Sequence, residues 1–528
     1  MNRKTLVLPA VVGLLAPVLA ACGSSEGDGA DGGSLVVGMT DQLIASKDSP
    51  APLDPAYAYD TGSWNVLRQT LQTLMHAPRG GGSPVPEAAQ SCEFTDKASQ
   101  SFRCTLREGL KFSDGSALTA GDVKFSIERL LKINDDNGAA ALLSNVDTID
   151  TKGDREIVFH LATPDATFPF KLATPAAAIV SEKKYKAGKL RDGLEVDGSG
   201  PYTMKSEAKG GRVSKITFSK NKSYKGDVKL QNSKVELRIF DSAEAMGKAL
   251  EKGDIQVATR ELGSEQVQKM LDKPNKDIEL TELPGLFIQY LTFNTEHPSV
   301  KDKAVRQAMA ALLDRGQIAS EVYNSTTEPL YSLIPSSIGG HKNAFYDKYG
   351  EPSVTKAEWI LREAGVKTPV KLSLHYATDR YTPKEYEVIR DQLNRSALFS
   401  VTVKGTDWNK FREASKKGEY PVYGLGWVPD FPDPDNYIAP FLEKENFMNS
   451  PYVNNQALRL IDESRRKADR SSADAAFGKI QEIVAEDVPI LPLWQGKQYV
   501  AARKGVTGVE RLLNGSSDLQ LWELGQGK

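Results

Sequence analysis

Strand-like and helix-like runs alternate along this chain without settling into a strict βαβ rhythm, and that irregularity restricts its architecture more than any other feature. Two-residue alternation of apolar side chains predicts strands at Ser214–Lys220, with Ile216 and Phe218 inward, and at Glu236–Phe240, Lys371–Tyr376, Val401–Lys404 and Tyr420–Trp427. Helices are marked by their ends. Thr119 and Asp122 make a capping-box pattern before Val123, Ile127, Leu130 and Leu131, and Ser299 to Asp302 opens a second start ahead of Ala304, Ala308, Leu312 and Leu313. Gly365 closes the helix that carries Trp359 to Ala364. With 528 residues, at ~100–200 per domain, the chain has room for about three domains. The pattern predicts a mixed α/β body whose domains are discontinuous in sequence.

The N-terminus points to a compartment. Arg3 and Lys4 precede a mostly apolar run ending at Leu19, and Pro9 and Pro17 interrupt it. A run this short and broken is a poor membrane span and a good export signal over residues 1–21. Leu19-Ala20-Ala21-Cys22 resembles the bacterial lipobox, in which the cysteine is acylated and becomes the first mature residue. Residues 22–34 continue as Gly, Ser, Asp and Glu with no apolar side chain larger than alanine, the composition of a flexible tether. The expected location is therefore the outer face of the cytoplasmic membrane, held by a lipid anchor on Cys22.

Two other cysteines exist, and an exported chain can oxidise them. Folding SCEFTDKASQSFRC as a hairpin about Ala98 sets Cys92 opposite Cys104 and Phe94 opposite Phe102, which predicts a structural disulfide; two unpaired buried thiols are the alternative. Lys and Arg number 67 against 69 Asp and Glu, so the net charge of -2 gives no pull toward nucleic acid.

Motifs for catalysis are missing. The sequence has no Gly-x-Ser-x-Gly elbow, phosphate loop, dinucleotide fingerprint or His-Glu-x-x-His, and its five histidines have no metal-ligand spacing. No catalytic residue, metal site or cofactor is expected. One segment stands apart: the strand ending Gly424-Leu425-Gly426-Trp427 runs into a proline-rich loop with Asp430, Asp433 and Asp435. Glycines permit close backbone approach, and a strand end can offer main-chain groups to an incoming peptide. A solvated turn and a calcium loop are the rival readings, although the spacing lacks the ordered pattern and central glycine of an EF-hand.

Phe102 to Arg129, FRCTLREGLKFSDGSALTAGDVKFSIER, closely resembles the signature of the family 5 extracellular solute-binding proteins, the peptide- and nickel-type binding components of ABC importers. Further matches follow in the family's order: Leu53-Asp54-Pro55, Gly198 to Tyr202, Asn221 to Tyr224, Gly253-Asp254-Ile255, Phe293-Asn294, Val305 to Ala308 with Asp314-Arg315, and Gly426-Trp427 with Asp433-Pro434. The resemblance implies a two-lobed α/β periplasmic-binding-protein fold with a hinge and an extra, smaller α/β domain. Lobe I would comprise residues 35–70, 195–285 and 495–528, the additional domain 71–194, and lobe II 286–494.

By the same resemblance Asp430 would hold the α-ammonium of a dipeptide or oligopeptide. Gly426, Trp427 and Val428 would contribute main chain and an aromatic wall, and Arg380 would take the ligand's carboxylate. The expected protein is a monomeric binding component, not an enzyme. It would deliver peptide to permease transmembrane subunits and their ATPase partners. The same fold could carry an oligosaccharide, a nickel chelate or haem instead, and a secreted hydrolase is the more distant alternative.

Overall fold

Two long antiparallel strands, Ile278–Phe293 and Ile490–Arg503, organise the molecule. They are the middle of an eleven-stranded mixed sheet in the computed structural model, which describes residues 34–79, 81–260, 262–444, 446 and 450–527. The signal segment, Cys22 and the tether to residue 33 lie outside the described residues. On one side of the pair the sheet continues through Val422–Trp427, Val370–Ala377 and Phe399–Thr406. On the other it runs through Val257–Ala258, Leu35–Met39, Lys234–Ile239, Arg212–Lys220 and Tyr202–Lys209, and the short Thr327–Pro329 pairs with Ile490–Arg503 off this path. Leu35–Met39 and Val370–Ala377 are each parallel to both of their neighbours, and the remaining pairs are antiparallel.

The register of the long pair breaks between Pro284 and Ile288. A Cβ built on Gly285 would lie 2.3 Å from the Gly496 carbonyl oxygen, so glycine is what lets the two backbones cross this closely. Core membership changes at the same place. Leu283, Val500 and Ala502 belong to a cluster with Val37, Phe102, Phe159, Ile216 and Phe218, whereas Leu286, Ile288 and Trp494 belong to one with Leu374, Tyr386, Phe441 and Phe477. A small third cluster packs the helix Ala243–Lys252 against Ala258 and Ala501. Each fully buried Leu or Phe in these clusters contributes roughly 1.5–3 kcal/mol.

A separate four-stranded antiparallel sheet, Ala89–Phe94, Ser101–Leu106, Glu156–Leu161 and Val146–Lys152, shares its core with the first cluster. Within it Cys92 and Cys104 are disulfide-bonded opposite one another, and the Phe94 and Phe102 rings meet edge-on at 4.8 Å. The helix Ala120–Ile133 starts with the capping box formed by Thr119 and Asp122. The second start differs from expectation: Asp302 alone caps Lys303–Leu312 by accepting from the Ala304 amide, because Ser299 is engaged with His297.

The sequence motifs prove to be framework. Asp54, fully buried, accepts from both terminal guanidinium nitrogens of Arg129 at 2.8 and 2.5 Å, and from the amides of Ala56 and Arg191. Gly198 and Gly200 lie so close to the Thr70 backbone that any Cβ would clash at 2.0–2.5 Å. Arg306 caps the carbonyls of Val300, Lys301, Asp487 and Val488.

Candidate functional site

The Val422–Trp427 strand is paired along its whole length on one side, from Phe293↔Val422 to Ile288↔Trp427. On the other side Val370–Ala377 accompanies it only at Leu374↔Val422 and His375↔Tyr423. Among the described residues Gly424 to Gly426 have no ladder partner on that edge, and the Gly426 N–H donates instead to the Tyr381 hydroxyl at 2.9 Å. Within the fold the glycines give close approach to aromatic rings. A Cβ on Gly424 would meet Tyr386 at 2.1 Å and one on Gly426 would meet the Phe287 ring at 2.2 Å, so their role is to seat aromatic rings under the strand.

The Phe287 ring in turn lies 5.4 Å from that of Trp494, which reaches a buried carboxyl group. Glu385 is fully buried; its two oxygens accept from Trp494 Nε1 at 2.9 Å and the Tyr323 hydroxyl at 2.8 Å, and no cation neutralises it among the described residues. Desolvation pushes its pKa up to about 7, against the lowering effect of those two donors. A raised folded-state pKa means stability is full below the ordinary glutamate range and declines as pH rises from there through about 7. The decline amounts to about 3 kcal/mol at 1.36 kcal/mol per unit. Glu385→Gln can keep the Trp494 bond and donate to Tyr323, so its stability should be level across that pH range in urea titrations at pH 5 and 8. A variant as pH-dependent as the parent contradicts this.

Past Trp427 the chain enters the three-aspartate loop, and the structure separates the three acids. Asp433 is buried and paired with Arg470 at 2.7 and 2.8 Å, and it also accepts from the Asp435 amide. Asp435, in the first turn of the helix Asp435–Leu442, pairs with Arg465 at 3.2 and 3.3 Å. Both are spent on fixing the loop, which disposes of a calcium loop built from the three. Asp430 is left. Its Oδ1 accepts from the Tyr59 hydroxyl at 2.7 Å, its Oδ2 from Asn436 Nδ2 at 3.2 Å, and its amide donates to Asn436 Oδ1 at 2.8 Å.

Among the described residues no cation lies within ion-pair distance of Asp430. Burial raises its pKa, the Tyr59 and Asn436 donors offset part of that, and Lys171 acts only from farther away. A desolvated carboxylate with neutral donors alone has unmet electrostatic demand, and two of its roughly four lone-pair directions remain open.

The other expected residues fall around this loop to different degrees. Trp427 is half-buried with its ring edge-on to Phe441 at 5.5 Å, and Val428 is 45% exposed. Arg380 lies on the exposed turn after Val370–Ala377, its guanidinium 5.2 Å from the centre of the Trp408 ring; its neighbour Tyr381, and not Arg380 itself, touches the strand edge. Tyr59, Asn436 and Tyr381 complete the site without having been singled out in the sequence. Phe170 also reaches the loop, its ring 6.0 Å from that of Phe431.

The fold is that of the periplasmic peptide-binding proteins. It superposes on the unliganded open form of the murein tripeptide-binding protein MppA with a TM-score of 0.79 at 21% identity, covering 94% of this chain and 98% of that one. A Helicobacter pylori binding protein, DppA, in complex with the peptide STSA superposes with a TM-score of 0.74 at 22% identity over 94% and 98% of the two chains. Residues 83–449 match the family described as bacterial extracellular solute-binding proteins, family 5 (middle), and the chain belongs to that family. It is 24% identical to the oligopeptide-binding protein OppA of Bacillus subtilis, across 90% of this chain and 91% of that protein. It is 25% identical to the dipeptide-binding protein of Escherichia coli, across 88% and 91%. Family members bind solutes and are not enzymes, and no helix among the described residues is long and apolar enough to cross a membrane.

Proposed function

We propose that this chain is the substrate-binding lipoprotein of an ABC importer, capturing dipeptides or oligopeptides and handing them to a membrane permease with its ATPase partners. The observation that carries the reading is Asp430, the one acid of its loop without an arginine. A peptide's terminal ammonium supplies the missing charge and three donors for the open lone pairs. The strand edge at Gly424 and Leu425, beyond the ladder with Val370–Ala377, offers main-chain groups to an extended ligand, which gives affinity with little dependence on side chains. Arg380 is assigned the far carboxylate; its exposed turn leaves it free to swing from Trp408.

Lobes I (35–70, 195–285, 495–528) and II (286–494), with the additional domain 71–194, would close on the ligand by bending at the Gly285–Gly496 crossing. The anchor would be Cys22, and the protein would act as a monomer. The relatives named for oligopeptides and dipeptides support the ligand class. Native mass spectrometry of protein purified without refolding, followed by sequencing of released ligand, tests the proposal. Peptides with free N-termini are expected. A co-purifying sugar, chelate or haem in their place would replace the peptide reading, and a ligand cleaved on long incubation would restore the hydrolase.

A further inference from the structure

Tyr59 is among the few large side chains left substantially exposed, at 45%, yet its hydroxyl is committed to Asp430. The two residues are 371 positions apart. Tyr59 belongs to the stretch whose neighbours Ala56, Ala58 and Trp64 pack in the first core, whereas Asp430 follows a strand of the second. Its backbone is held on both sides. The carbonyl of Ala58 accepts from Trp64 Nε1 at 2.9 Å, Asp60 caps the helix Thr61–Thr70 through the Ser63 amide at 2.9 Å, and the Tyr59 ring lies 5.5 Å from that of Trp64. Behind them the Asp54–Arg129 pair fixes the start of the turn. The phenol is thus presented from a rigid mount, and it takes one lone pair of Oδ1 while Asn436 takes one of Oδ2.

We infer that Tyr59 is the positioning residue through which the first core holds the ammonium site of the second: its hydroxyl bridges the two cores at Asp430 and aims the remaining lone pairs of the carboxylate at the ligand's N-terminus. The inference rests on the peptide reading for its ligand, but the bridge exists without one. Because the phenol is neutral, it orients the carboxylate without cancelling the charge that attracts an ammonium. A lysine in its place would occupy the site permanently.

Tyr59→Phe keeps the ring against Trp64 and removes only the hydroxyl. In calorimetry with tri-alanine and N-acetyl-tri-alanine, the variant should lose roughly tenfold in affinity for the free amine, the size of one hydrogen bond to a charged group. Its affinity for the acetylated peptide should stay within about twofold of the parent's. In unliganded protein carrying nitroxides at Asp147→Cys and Lys416→Cys, the distance distribution across the cores should broaden when Tyr59 becomes Phe. Equal losses on both peptides would reduce Tyr59 to a structural role, and superimposable distance distributions would overturn the bridge. If the parent binds neither peptide, the peptide reading falls while the distance measurement still decides the bridge. If the parent binds tri-alanine and neither measurement moves, the bridge falls and the peptide reading stands.

Discussion

Asp430→Ala is expected to weaken the binding of a free-amine peptide at least a hundredfold while leaving the unliganded protein as stable as before. The first half follows from burial. If, as proposed, the ligand is buried against Asp430, removing one partner of that desolvated ion pair strands the other, at a cost of ~3–5 kcal/mol, and every 1.4 kcal/mol is tenfold in affinity. The second half follows from what Asp430 lacks. Without ligand it is a half-buried, desolvated carboxylate held by Tyr59 and Asn436 alone, so its removal forfeits two hydrogen bonds and relieves an uncompensated charge. The raised pKa adds a pH signature: on acidification, binding should be lost at a higher pH than an ordinary aspartate would give. Calorimetry across pH 3–7, with urea unfolding of the same samples, checks both halves. An unchanged dissociation constant would remove Asp430 from the site, and a large drop in unliganded stability would make it a structural residue.

The largest stability effect is expected elsewhere, at Asp54→Ala. This leaves the Arg129 guanidinium, 2% exposed, without its carboxylate, and the amides of Ala56 and Arg191 without their acceptor. Breaking a buried pair from one side costs about 3–5 kcal/mol. The loss should register as a lower urea midpoint, because Arg129 and Asp54 join the helix Ala120–Ile133 to the turn before Thr61–Thr70 inside the first core. Asp54→Asn should fare better, since its remaining carbonyl oxygen can serve Arg129 or the Ala56 amide. A midpoint unmoved in Asp54→Ala would show that the pair is balanced by its own desolvation.

Local chemistry was readable where neighbours in sequence are neighbours in space. The Cys92–Cys104 register followed from the symmetry of one hairpin, and Ile216 and Phe218 from strict alternation. The capping box at Thr119 needed only four residues. Legibility failed where a residue's role is set by something remote. Three aspartates in one loop are equivalent on paper; only the placement of Arg465 and Arg470 shows that two of them are framework. Nothing near Tyr59 in the sequence hints at a partner in the 430s. The glycines before Trp427 were correctly marked as sites of close approach, but no periodicity can tell that Phe287 and Tyr386 rings make the approach. Ser299 illustrates the opposite hazard, a good helix start on paper drawn away by the histidine two residues before it.

The two cores also differ in how the chain supplies them. The second is drawn from one unbroken stretch, Leu286 to Trp494, while the first needs Leu35 and Val37 from the beginning together with Val500 to Leu524 from the end. A chain emerging N-terminus first therefore holds Leu35–Met39 between Lys234–Ile239 and Val257–Ala258 while Ala501 and Ala502, the next partners of Val257–Ala258, are still missing. The later body has all the residues of its core once Trp494 is made, before Val500 to Leu524 appear. The order of completion is thus the reverse of the order of synthesis. Val500 to Leu524 complete the half made first, so a chain truncated before Val500 would retain the material for the Asp430 loop and its strand but lack the part of the first core that follows it.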